Sequence, residues 1–499
     1  IVSCVHWWSF SRWFEFDDYR VIGTHYDVVG KNFPDSETMG LGNSTSYGIG
    51  LVYLVVRWFG TNYALYNFTG WFIYFLSSVV IFLTAQKIQK NKTVSFLIAA
   101  LFITSPTYYR QTLMMQELIG DGFTFLLFNI SVFLLISRFY QGSVIFAAAA
   151  LEFGLSRHHF IAVPLVLIAL LLIKKDKKEL VHKLIALIAF PTISIFYLTL
   201  LVNHPPEVLN YTHLSQNWKQ IIRYGDTIFG VVVPHPLTIF LIAFFKWLLN
   251  KYAYVSALLG WSLIGFGGVF AMWLGIKKHA QQAKLIFIGV ISILAATFFP
   301  TLAGIRLSHN IQSLTAQYDD LFPAGPTSYG LTSMFGLGLI FLGMSTSLRP
   351  KVFKKLVMIL IALNALAIIK ADKEWAREFS LPQRASDSQL HILLPADGKV
   401  KVVYTAPPSE ILSRYISYFY QLYQIKEPLY FTNDATAFLE LVQEHNPDMD
   451  HVYLLTQNEK TYEIFNHSEK LRSVDLVIVA PKHLNELTMI EHKKHYDEN

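Results

Sequence analysis

An acidic pair, Asp17 and Asp18, stands near the start of the chain within the stretch Phe14–Arg20. Almost all that follows, up to about Ala371, consists of long apolar segments separated by short basic loops. Two adjacent carboxylates just outside a membrane block are costly to desolvate, so we expect them to face water or a charged ligand. Carboxylates placed in this way can act as a general base or bind a cation.

Further charged and polar residues fall at the ends of the apolar segments, on the same predicted side as the acidic pair. Arginine clamps phosphate through paired hydrogen bonds, and a carboxylate can accept a proton or bind a hydroxyl group. Both residue types beside apolar helices suit a substrate that combines a sugar, a phosphate and a long lipid. The candidate binding residues are Arg110, Glu117, Asp121, Arg157, His158, Arg306 and Tyr318.

Each candidate also has a structural explanation without chemistry. The acidic pair can be a solvated loop, and Arg306 can extend its charge to the membrane interface. Glu117 and Asp121 lie four residues apart on one helix face, where acids favour a helix N-terminus. Adjacent histidines such as His158 and His159 rarely both bind a metal, so no metal site is predicted, and a need for a divalent metal stays open.

The composition is typical of a membrane protein. The chain has 499 residues, 53% hydrophobic and only 15% charged, where a soluble protein carries about 25% charge. The net charge of +6 comes from lysines in loops, so membrane topology explains it better than nucleic acid does. The lone cysteine, Cys4, excludes a disulfide within this chain and a Cys-based metal site. The start at Ile1, without Met, is interpreted as the outer end of a first helix whose beginning is absent.

The apolar segments predict a multi-span α-helical membrane protein with about 10–11 transmembrane helices, some of them shorter than the usual length of about 20 residues. A shorter segment, Tyr47–Phe59, is predicted to lie in the membrane interface. The predicted spans are 62–86, 94–109, 117–137, 143–156, 159–173, 183–202, 254–276, 285–302, 328–347 and 354–371.

Basic loops orient these spans. The loops contain Lys87–Lys92, Arg138, Lys174–Lys178, Lys277–Lys284 and Arg349–Lys355. All of them fall on one side when the spans alternate, which by the positive-inside rule is the cytoplasm. We therefore predict an integral protein of a bacterial inner or plasma membrane, with the acidic pair and the C-terminus outside.

Three domains follow from this pattern: a first outer loop with the interfacial helix (1–61), a transmembrane helical domain (62–371) and a soluble, extracytoplasmic α/β domain (372–499). The last contains four predicted strands around two predicted helices, 408–424 and 434–444, which suggests a mostly parallel sheet. The predicted strands are Lys399–Ala406, Pro428–Phe431, Asp450–Thr456 and Val474–Ala480. No Gly-rich phosphate loop follows any of them in the sequence.

Several short motifs, taken in order, resemble the GT-C glycosyltransferases that use polyprenyl-phosphate sugars. This group includes protein O-mannosyltransferases and bacterial lipid A aminoarabinose transferases. The motifs are Phe16-Asp17-Asp18-Tyr19, Tyr47–Gly60, Ser105-Pro106 with Tyr108-Tyr109-Arg110 and Glu117 or Asp121, Gly154–Arg157, and Gln317-Tyr318 with Pro323 and Gly330. The resemblance covers most of residues 10–371, and each motif is weak alone.

The resemblance implies an inverting sugar transfer outside the cytoplasm, with an acid of the first outer loop as base and basic residues on the donor phosphate. No cofactor is implied beyond a lipid-phosphate-linked sugar as donor substrate. The partners would be that donor, membrane lipid, and a glycan, lipid or protein acceptor, and not nucleic acid. Many members have Asp-Glu where this chain has Asp17-Asp18, so which carboxylate is the base stays open, and no arginine directly precedes Tyr318.

Other functions are compatible with the same pattern. A glycan polymerase or ligase would carry its large outer loop late in the chain. A lipid or glycan transporter or flippase would show charges or broken helices at mid-membrane and usually repeated halves. A membrane sensor or scaffold would use the C-terminal domain for binding.

Overall fold

A computed structural model describes most of the apolar segments and four strands near the C-terminus. The described residues are 46–104, 115–153, 163–173, 180–203, 252–277, 279–302, 331–375, 401–406, 429–432, 437, 440, 441, 444, 452–457 and 476–479. They fall into two compact units, a helical unit within residues 64–372 and a second unit that contains the strands.

The apolar segments form helices, since long runs of apolar residues satisfy their backbone polar groups within one helix. The helices are α1 (Ser46–Phe59), α2 (Tyr63–Gln89), α3 (Lys92–Ile103), α4 (Met115–Ile136), α5 (Tyr140–Phe153), α6 (Val163–Ile173), α7 (Leu180–Asn203), α8 (Tyr252–Ile276), α9 (Ala280–Leu302), α10 (Leu331–Ser347) and α11 (Pro350–Trp375). Each predicted span corresponds to one of α2 to α11, with ends displaced by a few residues.

Two helices in the described part of the chain are long and apolar enough to cross a membrane, Tyr63–Gln89 and Leu258–Ile276. Their most apolar stretches are only 39% and 17% buried, so neither resembles the enclosed core helix of a soluble protein. Large apolar side chains therefore face outward, among them Phe266, which is 75% exposed, and Phe72, which is 45% exposed. An apolar outer surface of this kind fits a lipid environment.

The closest helix crossing joins α9 to α10 through glycines. A Cβ atom built on Gly289 would lie 2.5 Å from the carbonyl oxygen of Gly336, and one built on Gly336 would lie 2.5 Å from the carbonyl oxygen of Gly289. Further along, a Cβ on Gly343 would lie 3.0 Å from the carbonyl oxygen of Gln282. The backbones touch, as small residues allow in membrane helices, and the order of the contacts makes the two helices antiparallel.

The α4–α5 pair is also antiparallel. The Ser131 hydroxyl donates to the carbonyl oxygen of Ser143 at 2.7 Å near the turn that joins the two helices. Farther from this turn, the rings of Phe123, in the first half of α4, and Phe153, at the end of α5, meet edge to face with 5.8 Å between centroids.

Aromatic rings fill the core between α2, α3, α4 and α10. Phe125 and Phe128 are fully buried. Phe125 stacks on Phe102 at 5.2 Å between centroids, and Phe128 meets Phe335 edge to face at 5.3 Å. The buried hydroxyl of Tyr74 donates to the backbone at the end of α3. These contacts tie four helices into one packed interior.

The second unit contains a four-stranded sheet. Its strands are β1 (Lys401–Ala406), β2 (Leu429–Thr432), β3 (Val452–Gln457) and β4 (Leu476–Val479). Their order is β2-β1-β3-β4, with β1 parallel to β2 and β3, and β4 antiparallel to β3. The predicted helix 408–424 lies outside the described residues, and the described positions of 434–444 are helical. The α/β class of a C-terminal domain and the three domain boundaries stay predictions.

Candidate functional site

Two of the predicted site residues lie in the described part of the chain. Glu117 and Asp121 are the third and seventh residues of α4. The others, Asp17, Asp18, Arg110, Arg157, His158, Arg306 and Tyr318, lie outside the described residues.

The positions of Glu117 and Asp121 fall on the inner face of α4. With about 3.6 residues per turn, positions 117, 121, 125 and 128 share one side of the helix. Phe125 and Phe128 on that side are fully buried and contact α3 and α10. The two acid positions continue this packed face toward the N-terminus of α4. They therefore lie on the core-facing side of α4, between the buried phenylalanines and the N-terminal end of the helix.

Helix contacts bring together the ends that flank the segments with the other candidates. Phe102 on Phe125, the eleventh of the 22 residues of α4, places the end of α3 beside the middle of α4, and segment 105–114, with Arg110, connects the two helices in sequence. Phe123 on Phe153 places the end of α5 there as well, and segment 154–162, with Arg157 and His158, follows directly.

The two helix ends that flank the segment with the late candidates lie at the same end of the unit. Because α9 and α10 are antiparallel, Leu302 and Leu331 lie at one end, and segment 303–330, with Arg306 and Tyr318, connects them. Contact between Phe335 and Phe128, the fourteenth residue of α4, puts the start of α10 beside the second half of α4. We call this end, formed by the start of α10, the ends of α3, α5 and α9 and the N-terminal half of α4 that extends past them, the candidate-site end.

The opposite end of the helical unit is basic. The Lys87 ammonium donates to the Ser137 hydroxyl at 2.7 Å, and the Gln89 amide donates to the carbonyl oxygen of Leu342 at 2.6 Å. These bonds join the end of α2 to the ends of α4 and α10. Exposed cations gather here, and residues 86–92, 137–139 and 347–355 contain no carboxylate. We call this the basic end; its predicted cytoplasmic location stays a prediction.

The aromatic layer beneath the acid positions was not singled out from the sequence. Its members, Phe102, Phe125, Phe128 and Phe335, are four of 39 phenylalanines in the chain. Their spacing within α4 is helical, yet the same spacing recurs on faces that point outward. Only the contacts between helices distinguish them.

Within the described residues, no group of three or more His, Cys, Asp or Glu side chains could hold a metal ion. The adjacent histidines His158 and His159 lie outside this part of the chain. Whether the protein needs a divalent metal therefore has to be tested by experiment.

Comparison with known proteins gives similarity in structure alone. No protein-family model matches the chain, and no curated protein sequence matches it. The structure is similar to two crystal structures of ArnT from Cupriavidus metallidurans, one bound to undecaprenyl phosphate and one in the apo state. Each similarity covers 96% of both chains, with 11% identity and a TM-score of 0.40. At this TM-score and identity the similarity assigns neither a fold nor an activity to the chain.

Proposed function

We propose that this protein is an integral membrane glycosyltransferase of the GT-C type. It moves a sugar from a polyprenyl-phosphate donor to an extracytoplasmic glycan, lipid or protein, with inversion at the sugar carbon. The C-terminal unit is then an α/β domain on the same side as the acceptor.

The observation that carries this proposal is the convergence of helix ends at the candidate-site end. Three separate segments with candidate arginines begin or end there, above an inner face that holds the positions of Glu117 and Asp121. A lipid-linked donor needs its phosphate at the membrane surface and its chain in an apolar phase. Helices with outward apolar faces provide the second condition, and arginines at their ends provide the first.

In the proposed chemistry, the acidic residues and the arginines have different roles. Asp17 or Asp18 takes the proton of the acceptor nucleophile, which attacks the anomeric carbon as the bond to the phosphate oxygen breaks. Arg110, Arg157 and Arg306 stabilise the negative charge that grows on the leaving polyprenyl phosphate. Glu117, Asp121, His158 and Tyr318 hold the sugar and the acceptor. The released lipid phosphate leaves sideways into the membrane.

The membrane setting is part of the proposal. In a bacterial inner or plasma membrane, the basic end would face the cytoplasm and the candidate-site end would face outward. The exposed apolar side chains of α2 and α8 would then contact lipid chains instead of water.

The test is transfer of radiolabelled sugar from polyprenyl-phosphate donors in membranes. We expect Asp17→Asn or Asp18→Asn to lower the rate by about 10²–10⁴-fold, because the general base is removed. A matched control is Asp176→Asn, an acid within the basic segment Lys174–Lys178 that belongs to no motif; its rate should stay within about twofold of the native rate. A parallel assay with EDTA determines whether a divalent metal is needed.

Expression must be equal in all variants. If both aspartate variants keep full transfer, the acidic pair is not the base. If the native protein transfers sugar from no polyprenyl-phosphate donor, the glycosyltransferase proposal is wrong, and transport of a labelled lipid across vesicles tests the transporter alternative.

A further inference from the structure

An apolar cleft opens between α2, α3, α4 and α10. Its polar side chains are Thr84 and Asn129, and each donates to the carbonyl oxygen four residues earlier on its own helix, at 2.8 Å. The cleft is lined by Ile81, Thr84, Ala85, Ile88, Ile98, Leu101, Phe102, Asn129, Met334, Phe335, Gly338, Leu339 and Leu342. Because Thr84 and Asn129 bond within their own helices, the wall suits a hydrocarbon chain better than a sugar or a peptide.

The cleft is elongated along the helices and reaches the basic end. Its α10 wall runs from Met334 to Leu342, about 12 Å at 1.5 Å per residue. Ile88 and Leu342 close one extremity, where Gln89 donates to the Leu342 carbonyl oxygen at 2.6 Å. A saturated chain of roughly eight to ten carbons has a similar length, so the apolar wall of the cleft can lie along a segment of one lipid acyl chain.

Cations surround this extremity. Lys87 lies one residue before the lining residue Ile88, and Lys90 and Lys92 follow within four residues. All three are exposed, and Lys87 is held over the Phe133 ring at 5.3 Å while its ammonium donates to Ser137. Among the described residues of this rim, 86–92 and 347–355, there are cations and no carboxylate, so these segments carry net positive charge.

At two turns of the basic end, a cationic residue adopts a backbone conformation that glycine adopts at lower energetic cost. Lys90 has φ of 54° and Arg138 has φ of 74°. A left-handed backbone is unfavourable for a residue with a side chain, and glycine avoids that cost. Two of the tight turns of the basic end carry a charged residue at this position, which is consistent with a use for the charge.

We propose that the cleft binds an anionic phospholipid, with one acyl chain between α2, α4 and α10 and the phosphate at the rim formed by Lys87, Lys90 and Lys92. Apolar walls with basic residues at the membrane surface match both halves of such a lipid. The occupant is a structural or regulatory lipid at the end opposite the candidate site. The proposal depends on the membrane setting and not on the sugar transfer.

The experiment measures lipid retained by the purified protein. Protein in detergent is mixed with phosphatidylglycerol or phosphatidylcholine of equal chain length, and the bound lipid is counted by native mass spectrometry. We expect phosphatidylglycerol to be retained at least about tenfold more strongly, since each nearby lysine contributes about fivefold.

Two matched pairs of variants locate the site. Gly338→Leu fills the cleft, because a Cβ at this position has room at 3.7 Å from Ile98, and it should remove most of the bound lipid. Gly268→Leu is the control, since no atom lies within 4 Å of a Cβ there. Lys90→Gln with Lys92→Gln should abolish the preference for the anionic lipid, whereas Lys277→Gln with Lys284→Gln, at the α8–α9 turn, should keep it.

The outcomes separate the alternatives. Gly338→Ala, which leaves most of the cleft open, checks that lost binding in Gly338→Leu is not misfolding, and it should retain lipid and the native melting temperature. Equal retention of the two phospholipids, or equal loss in both lysine pairs, would overturn the proposal. If added undecaprenyl phosphate displaces phosphatidylglycerol completely in a Gly338-dependent way, the cleft belongs to a lipid-linked substrate instead, and this proposal is wrong while the enzyme proposal stands.

Discussion

The two ends of the helical unit are built differently. At the basic end the chain turns tightly: Gln89 is separated from Lys92 by two residues, and Ser347 from Pro350 by two. At the candidate-site end the connections are longer, namely 105–114, 154–162 and 303–330. Short turns rich in cations fix orientation and register, whereas long connections on a rigid scaffold are where binding residues concentrate. From this contrast we predict that one end determines topology and that the other carries the chemistry.

The largest effect is expected from acids at the candidate-site end. Glu117→Gln or Asp121→Asn should lower sugar transfer by about 10–100-fold, because each change removes a charged hydrogen bond to substrate worth about 1.5–3 kcal/mol. The matched change at the basic end, Lys284→Gln, should leave the rate within about twofold. Steady-state transfer assays with equal protein amounts measure this.

If the charge changes at the two ends lowered the transfer rate equally, the proposed difference in function between the ends would be wrong. A loss in Lys284→Gln as large as that in Asp121→Asn would mean that the rate depends on the overall charge of the helical unit. Full activity in both acid variants would restrict the chemistry to residues outside α4.

The second prediction concerns the crossing of α9 and α10, two helices that run between the two ends of the helical unit. Gly289→Ala places a Cβ 2.5 Å from the Gly336 carbonyl oxygen and 2.6 Å from Ile340, so α9 and α10 must separate. We expect a loss of stability of about 1–3 kcal/mol, as for an overpacked core. Gly268→Ala has nothing within 4 Å and should be neutral or slightly stabilising. Thermal unfolding in one detergent compares the two.

If α9 and α10 can separate without a loss of stability, thermal unfolding would give a different result. If Gly289→Ala and Gly268→Ala melt together, the backbones of α9 and α10 can move apart at no cost, and the helix order deduced from this contact would lose its support.

Much of the helical architecture was predictable, because apolar runs and basic loops leave few alternatives in a membrane. The interfacial helix predicted at Tyr47–Phe59 is helical over Ser46–Phe59, and the span predicted at 254–276 is α8. Four strands also lie where the sequence predicted short strands, within two residues at each end; Pro428–Phe431, for example, is Leu429–Thr432. Local periodicity carries that information.

The arrangement of helices was not predictable. The contact of Gly289 with Gly336 joins residues far apart in sequence, and nothing local distinguishes these glycines from Gly265 or Gly268, which have open space around them. The apolar cleft likewise depends on four helices meeting. For the candidate site, the sequence could name Asp17 and Asp18 by motif, but only helix contacts show that the described helix ends beside several other candidates lie at one end.

The smallest effect tests the tight turns of the basic end. Lys90→Gly should raise the stability by up to about 1 kcal/mol, since Lys90 adopts φ of 54° and glycine enters this region without cost. Lys92→Gly removes the same charge at the first residue of α3, where helical backbone is required, and should lower the stability by about 0.5–1 kcal/mol. Chemical denaturation of both variants measures the difference.

The opposite signs make this pair informative, because both variants lose one positive charge from the same turn. If stability falls equally in both, charge repulsion or lipid contact governs the turn and the backbone strain is negligible. If Lys90→Gly is stabilised in detergent yet loses its preference for phosphatidylglycerol over phosphatidylcholine, a cation has been kept at a strained position for binding. The basic end would then be a lipid contact as well as a determinant of orientation.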